Sequence, residues 1–162
     1  MLQKLKNIAQ LQHEFSQAYK NYKRLLVRGM LQVDIMLGGA RMELQRLEGE
    51  FTICKIDDVS QVDFTREFVF LSKTDDEISL VCESAYVPPV VLASEAGWSA
   101  LKVSGILDFG MVGVIAKIAR VLAEIGVSIF VISTYNTDYI LVKTEQLEQS
   151  LQALTCNGYV VK

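Results

Sequence analysis

Apolar residues in this chain fall in short runs, and the spacing inside each run predicts its element. Phe51–Ile56 (FTICKI) alternates in part, as a strand with one well-buried face does. Residues 68–72 and 78–82 flank Lys73-Thr74-Asp75-Asp76-Glu77, a polar turn that predicts a hairpin. The connecting DDVSQVDFTREF is too short and too polar for a long helix, and Pro88-Pro89 then separates two halves of the chain. In the second half, residues 98–104 predict a strand. A helix opens over the loop 110–113, with Ile115, Ile118, Ala119, Leu122 and Ile125 as its apolar stripe. Gly126 suits its end, because glycine takes the left-handed conformation there at little steric cost. Residues 127–132 are almost continuously apolar, which predicts a strand covered on both faces. Residues 139–142 read as the next strand. Thr144 and Glu145 suit the start of a second helix bearing Leu147, Leu151 and Leu154, and residues 159–161 close the pattern.

The resulting order is βαββαβ, an α+β arrangement with a ferredoxin-like antiparallel sheet and both helices on one face. The first half reads as a reduced copy of the same unit, its first helix shortened to a turn. Helices cover only one face of such a sheet. The other face therefore requires the first half, a second chain, or both, and we expect the two units to pair side by side or face to face, within a homodimer.

Residues 1–41 stand apart. Leu5, Ile8, Leu11, Phe15, Tyr19, Tyr22 and Leu26 recur at three- or four-residue steps and predict an amphipathic helix, with Lys4, Lys6, Lys20, Lys23, Arg24 and Arg28 adding positive charge. One reading is a helix for a partner or an anionic membrane surface. The other is an appended extension, or a segment upstream of the true translation start, ending at Gly38-Gly39. His13, Glu14 and several glutamines dilute the membrane case, so the extension is preferred. The expected division is a helical extension over 1–41, a first, reduced unit over 42–95 and a second unit over 96–162.

Composition narrows the function classes. Half of the 162 residues are apolar, enough for a packed core, and charged residues interrupt every run before it reaches bilayer-spanning length. A net charge of -3 and a pI near 5.2 argue against a nucleic-acid groove, and no membrane role is expected. The N-terminus lacks the apolar core of a secretory signal. Cys54, Cys82 and Cys156 are scattered and odd in number, as reduced and mostly buried thiols of a cytoplasmic protein are. With a single histidine, His13, and no paired cysteines, neither a metal site nor a cofactor is expected.

The chemistry concentrates between residues 107 and 143, LDFGMVGVIAKIARVLAEIGVSIFVISTYNTDYILVK. The glycines of the loop 105–113 permit unusual backbone geometry and leave amide hydrogens where the helix begins, a natural carboxylate site. They also serve a plain turn and close packing equally well. Thr134-Tyr135-Asn136-Thr137-Asp138 is a polar turn between two apolar segments. A partly buried Asp138 requires a cationic partner, which a ligand ammonium supplies. Asp108 serves the same role or caps the helix. Hairpin-turn hydrogen bonding accounts for Asn136 and Asp138, and less well for the two threonines and Tyr135.

Taken together, this stretch resembles the tandem ACT-domain family, in particular the regulatory ACT modules of aspartokinases. The STYNTDYILVK run is similar to small stand-alone tandem-ACT proteins and to animal cytosolic arginine sensors. The resemblance covers residues 98–162 strongly and 47–84 more weakly. It implies an amino-acid ligand at an interface between units. Its carboxylate would meet Asp108, Phe109, Gly110, Met111, Val112, Gly113 and Val114, and its ammonium would meet Thr134, Tyr135, Asn136, Thr137 and Asp138. No kinase domain accompanies these modules, and the first half lacks a good glycine loop and reads as scaffold.

Enzymatic chemistry has little support. No phosphate-cradling loop and no nucleophile elbow is present, and Asp57-Asp58 and Asp75-Asp76 read as solvated turns. The expected function is an amino-acid-binding regulatory sensor without catalytic activity. The rival is a constitutive dimerisation or scaffold domain with an empty site.

Overall fold

The computed structural model describes residues 41–162; the helix expected over 1–41 lies outside the described residues. The elements run β1 (Glu43–Arg46), β2 (Phe51–Ile56), β3 (Val69–Lys73), β4 (Ile78–Glu83), β5 (Ala93–Val103), α1 (Val114–Glu124), β6 (Phe130–Ser133), β7 (Asp138–Lys143), α2 (Leu147–Cys156) and β8 (Val160–Val161). All eight strands join one sheet, in the order β3-β4-β2-β5-β1-β8, with β7 on β5 and β6 on β7.

Strand β5 unites the two halves. Its first part pairs with β2 (Lys55 opposite Ala93, Phe51 opposite Trp98), and its last part pairs with β1 on that side (Leu44 opposite Val103). On the other edge it carries β7, from Trp98 opposite Lys143 to Lys102 opposite Tyr139. The second half is thus the expected strand–helix–strand–strand–helix–strand unit, with one departure. The short β1 lies between β5 and β8, pairing parallel with β8. Leu44 is the single apolar residue of its four, so nothing in its sequence marks it as an inserted strand.

The first half repeats the second with its helices reduced to single turns, Val59–Gln61 and Ser84–Tyr86. The likeness extends to individual hydrogen bonds. The β3–β4 turn closes with Thr74 N–H donating to Glu77 O at 2.9 Å, and the β6–β7 turn closes with Thr134 N–H donating to Thr137 O at 2.9 Å. In one half the buried Thr52 hydroxyl bonds the Ser84 hydroxyl (2.7 Å); in the other, buried Ser99 bonds Thr144 (3.0 Å). Thr144 therefore does not cap the second helix as the sequence predicts. It begins a single 3-10 turn that precedes α2, and its hydroxyl is spent on β5.

Alternation sorts the side chains onto two faces. On one face, Leu44, Leu101, Val103, Ile140 and Val142 pack under Val114, Ile118, Val121 and Leu122 of α1 and Leu147 and Leu154 of α2. In the first half the same face holds Cys54, Ile56, Leu80 and Cys82, covered by Val62, Val87 and Val91 of the connecting loops. Gly126, at φ 74°, ends α1 as expected; Val127 N–H then returns to Leu122 O at 3.0 Å. The observed stripe of α1 is shifted toward Val114 and Val121, which leaves Ile125 partly exposed.

The opposite face answers the question of cover. Phe51, Val81, Trp98, Ala100 and Leu141 are buried there, with Phe68, Phe70, Phe130, Ile132 and Tyr139 around them. In a flat sheet β3 and β7 would lie four strand spacings apart, about 19 Å. The rings of Phe70 on β3 and Tyr139 on β7 are instead 4.8 Å apart. The sheet therefore bends over this face, and the first half covers it. A register shift between Phe51 and Ile53, where β2 meets β5, accommodates the bend. The strand expected over 127–132 is shorter, Phe130–Ser133, and half-buried, because it lies at the sheet edge rather than between two layers.

Two expectations follow. A double-mutant cycle on Phe70→Leu and Tyr139→Leu, followed by urea denaturation, should return a coupling of about 0.5–1.5 kcal/mol, the range for a packed aromatic pair; additive losses would show that the halves do not meet there. Burial pushes the Cys82 thiol up to about 11, aided by neighbouring Cys54, whose own thiol burial also raises, whereas Cys156 is exposed. Ellman's reagent at pH 8 should accordingly modify Cys156 at once and the other two only on unfolding. Rapid reaction of all three would contradict the burial.

Candidate functional site

Strand β5 ends at Val103, and the chain then crosses a loop to α1. That loop meets the β6–β7 turn, which is held beside it by two bonds. The Thr137 hydroxyl donates to Val103 O at 2.6 Å in a buried contact, and Leu107 N–H donates to Asn136 O at 2.8 Å. Between loop and turn lies a cleft of about 200 Å³, lined by residues from 107 to 114 and from 133 to 138.

Of the residues expected at the site, Asp108, Phe109, Met111, Val114, Thr134, Tyr135, Asn136, Thr137 and Asp138 line this cleft. Gly110, Val112 and Gly113 are not among its lining residues, and Val112 points into solvent, 91% exposed. Leu107 and Ser133 line it as well and were not anticipated. Each is the residue immediately before an expected segment.

The glycines act through backbone shape. Gly113, at φ 79°, is the residue preceding α1 and provides no side-chain cap. The first internal bond of the helix runs from Lys117 N–H to Gly113 O (3.0 Å), so the amides of Val114, Ile115 and Ala116 precede the helical ladder. Gly110 differs from expectation: its amide is not open but donates to Asp108 Oδ1 at 2.7 Å. A Cβ at residue 110 would stand 2.9 Å from that oxygen and displace it. Asp108 likewise folds the loop rather than capping the helix, since its carbonyl also accepts from Met111 N–H at 2.9 Å.

The turn reverses the expected division of labour. Thr134 and Thr137, the pair least explained by turn chemistry, carry it. Thr134 Oγ1 donates to Thr137 O (2.7 Å), and the Thr137 hydroxyl anchors the turn to β5. Thr137 is buried, its hydroxyl committed. The side chains of Asn136 and Asp138 make no hydrogen bond or ion pair among the described residues, so they remain available to the cleft. Phe109 and Tyr135, each about four-fifths exposed, meet edge-on across it with ring centres 5.3 Å apart. The acidic pairs elsewhere behave as solvated turns: Asp58 caps the short turn at Ser60 (2.8 Å), and its local bonds hold its carboxyl below the usual range. Among the described residues no group of three or more His, Cys, Asp or Glu is placed to hold a metal, and no helix is long and apolar enough to cross a membrane.

The comparisons bear on the fold. The ACT domain profile matches residues 93–156. Protein Atu0741 from Agobacterium tumefaciens is 30% identical over 76% of this chain and 94% of its own, with a TM-score of 0.68. A protein of unknown function from Vibrio cholerae, VC0802, named a possible transport protein, is 26% identical over 68% of this chain and 85% of its own (TM-score 0.58). The ligand-free regulatory subunit of aspartate kinase from Thermus thermophilus shares the fold, at 12% identity over 73% of this chain and 99% of its own (TM-score 0.52). No curated protein matches the chain in sequence. The chain belongs to the ACT-domain family, whose profile it carries over residues 93–156.

Thr137→Val should cost about 1–3 kcal/mol in chemical denaturation, because it leaves the Val103 carbonyl buried and unpaired. Asp138→Asn, which breaks no bond, should shift stability by no more than about 0.5 kcal/mol. A large loss from the second would assign Asp138 to the fold rather than to the cleft.

Proposed function

We propose that this protein is an amino-acid sensor: a regulatory module without catalytic activity, working in the cytoplasm as a homodimer. Its units are 42–95 and 96–162, with 1–41 an appended extension. The observation that supports this most is the cleft itself. It joins the loop before α1 to the 133–138 turn, and its lining includes Val114, the first residue of α1, and the uncommitted carboxylate of Asp138. An amino acid complements that arrangement. Its carboxylate is directed to the amides at the start of α1, where the helix end carries about half a positive charge. Its ammonium is directed to Asp138.

Regulation follows from where the turn is anchored. Tyr139, next to Asp138, packs on Phe70 of the first half, and Thr137 is bonded to β5. Ligand occupancy therefore biases how the two halves, and a partner that reads them, are arranged. The bias is limited to the ligand's difference in affinity between arrangements. Neither nucleic acid nor membrane is part of this proposal, and no cofactor is required.

The rival, a dimerisation scaffold with an empty site, draws on the completeness of the turn's own hydrogen bonds. A thermal-shift screen of the twenty amino acids at millimolar concentration separates the two. A ligand at 100 times its dissociation constant adds about 2.7 kcal/mol, which for a domain of this size raises Tm by several degrees. Asp138→Ala should abolish the shift and leave the unliganded Tm in place. No shift from any amino acid would leave the scaffold standing.

A further inference from the structure

The two halves share a sheet but not its cover. In the second half, α1 and α2 lie across one face and bury Leu101, Val103, Ile140 and Val142 beneath them. In the first half the crossovers on that face are irregular. They are residues 57–68 between β2 and β3 and residues 84–92 between β4 and β5, each with a single 3-10 turn. Val62, Val87 and Val91 pack from them onto Cys54, Ile56, Leu80 and Cys82. Their neighbours stay outside. Phe64, Val90 and Leu92 are each about three-fifths exposed, and Val59 and Tyr86 about two-fifths. The cover also stops short of the sheet edge. Leu71 of β3 lies opposite Leu80 and on the same face, yet Leu80 is fully buried while Leu71 is 39% exposed. Thin loops thus stand where the second half seats helices, and they leave an apolar surface of the kind that marks an interaction site.

Charge decides what such a surface accepts. Residues 47–95 hold eleven acidic and three basic side chains, a net charge of -8, whereas residues 96–162 hold five of each. Asp57, Asp58, Asp63 and Glu67 all fall on the first crossover, interleaved with Val59 and Phe64, and all four are exposed. Two of the three basic groups are already engaged. Lys55 pairs with Glu77, and Arg66 pairs with Asp63 while lying 4.0 Å over the Tyr86 ring. Surroundings of this sign repel an anionic surface and attract a basic one. The second half shows which shape the same sheet face receives: α1 is an amphipathic helix that buries Val114, Ile118, Val121 and Leu122 at helical spacing.

We propose that this face of the first half is the docking surface for a basic amphipathic helix of a partner protein. The helix lays an apolar stripe, with anchors at i, i+3, i+4 and i+7, over Phe64, Leu71 and Leu92, and its Lys and Arg side chains meet Asp57, Asp58 and Glu67. The half that lacks helices of its own thereby acquires a recognition role. The surface uses no residue that lines the cleft, so it stands or falls independently of the amino-acid reading.

Fluorescence anisotropy with the full chain tests it, using a fluorescein-labelled Leu/Lys peptide whose leucines follow that spacing. A peptide of the same composition with its leucines scattered controls for charge, and a Leu/Glu peptide of the same spacing controls for apolar character. The expected result is binding of the Leu/Lys helix about tenfold or more tighter than of either control. Phe64→Ser combined with Leu92→Ser should weaken it about tenfold. Both side chains are exposed, so the Tm of this variant should stay at the parent value. Asp57→Asn with Glu67→Gln should also weaken binding and reduce its sensitivity to salt. Glu145→Gln with Glu148→Gln, which removes the same charge from the second half, should leave it unchanged. Equal binding of the scattered peptide, or undiminished binding by the Phe64→Ser, Leu92→Ser variant, would reduce the effect to bulk charge and overturn the surface. Absence of binding would overturn the separate partner. Hydrogen-exchange protection over residues 57–67 and 84–92 that rises with protein concentration would then put a second copy of the chain in its place.

Discussion

The backbone of β5 is the constraint on which the rest of the molecule depends. From Trp98 onward it runs through the centre of the sheet, so its amides and carbonyls there have to be paired on both edges, and along its length it is paired by three strands from three parts of the chain. Each buried backbone group left unpaired costs about 1–3 kcal/mol. The two halves consequently fold as one sheet, and any bend between them has to occur along β5 without breaking its ladder. The register shift opposite Phe51 is the place where the ladder gives.

The bend determines the core. Without it, Phe51, Phe70, Trp98 and Tyr139 would stand on an open apolar face; with it, they form a layer between the halves, and the helices need cover only the other side. Trp98 lies at the meeting point. The Lys143 ammonium sits 4.5 Å above its ring and is itself held by Glu95 and by the Ala96 carbonyl. The charge is kept at the surface while the ring is buried, a common use of a long cationic side chain. The cleft is placed by the same strand: β5 ends at Val103, and the turn is tethered to that end.

Elements whose signal is local were legible in the sequence. FTICKI is a strand at the limits its alternation gives, the Lys73–Glu77 hairpin turn is present, and Gly126 ends α1. The two segments expected at the site do come together around one cleft, since both lie at the end of the sheet where β5 gives way to α1. Features set by distant pairing were not legible. β1 is four residues with a single fully buried side chain, and its position between β5 and β8 depends on bonds to both. The first half of β5, ASEAG, is polar and mostly exposed, so its strand character comes from β2. The roles within the turn were misassigned for a related reason. The value of Thr137 lies in a carbonyl thirty-four residues away in sequence, which composition does not reveal.

The tether between Thr137 and Val103 has a consequence for how such a protein changes over time. The groups that hold the turn in shape are backbone atoms and two threonine hydroxyls, and the uncommitted polar groups at the cleft belong to other side chains. Shape and chemistry are therefore inherited separately. Residues 109, 135, 136 and 138 can be exchanged one at a time while the walls stay where they are, so the chemistry of the cleft is able to change without passing through an unfolded ancestor.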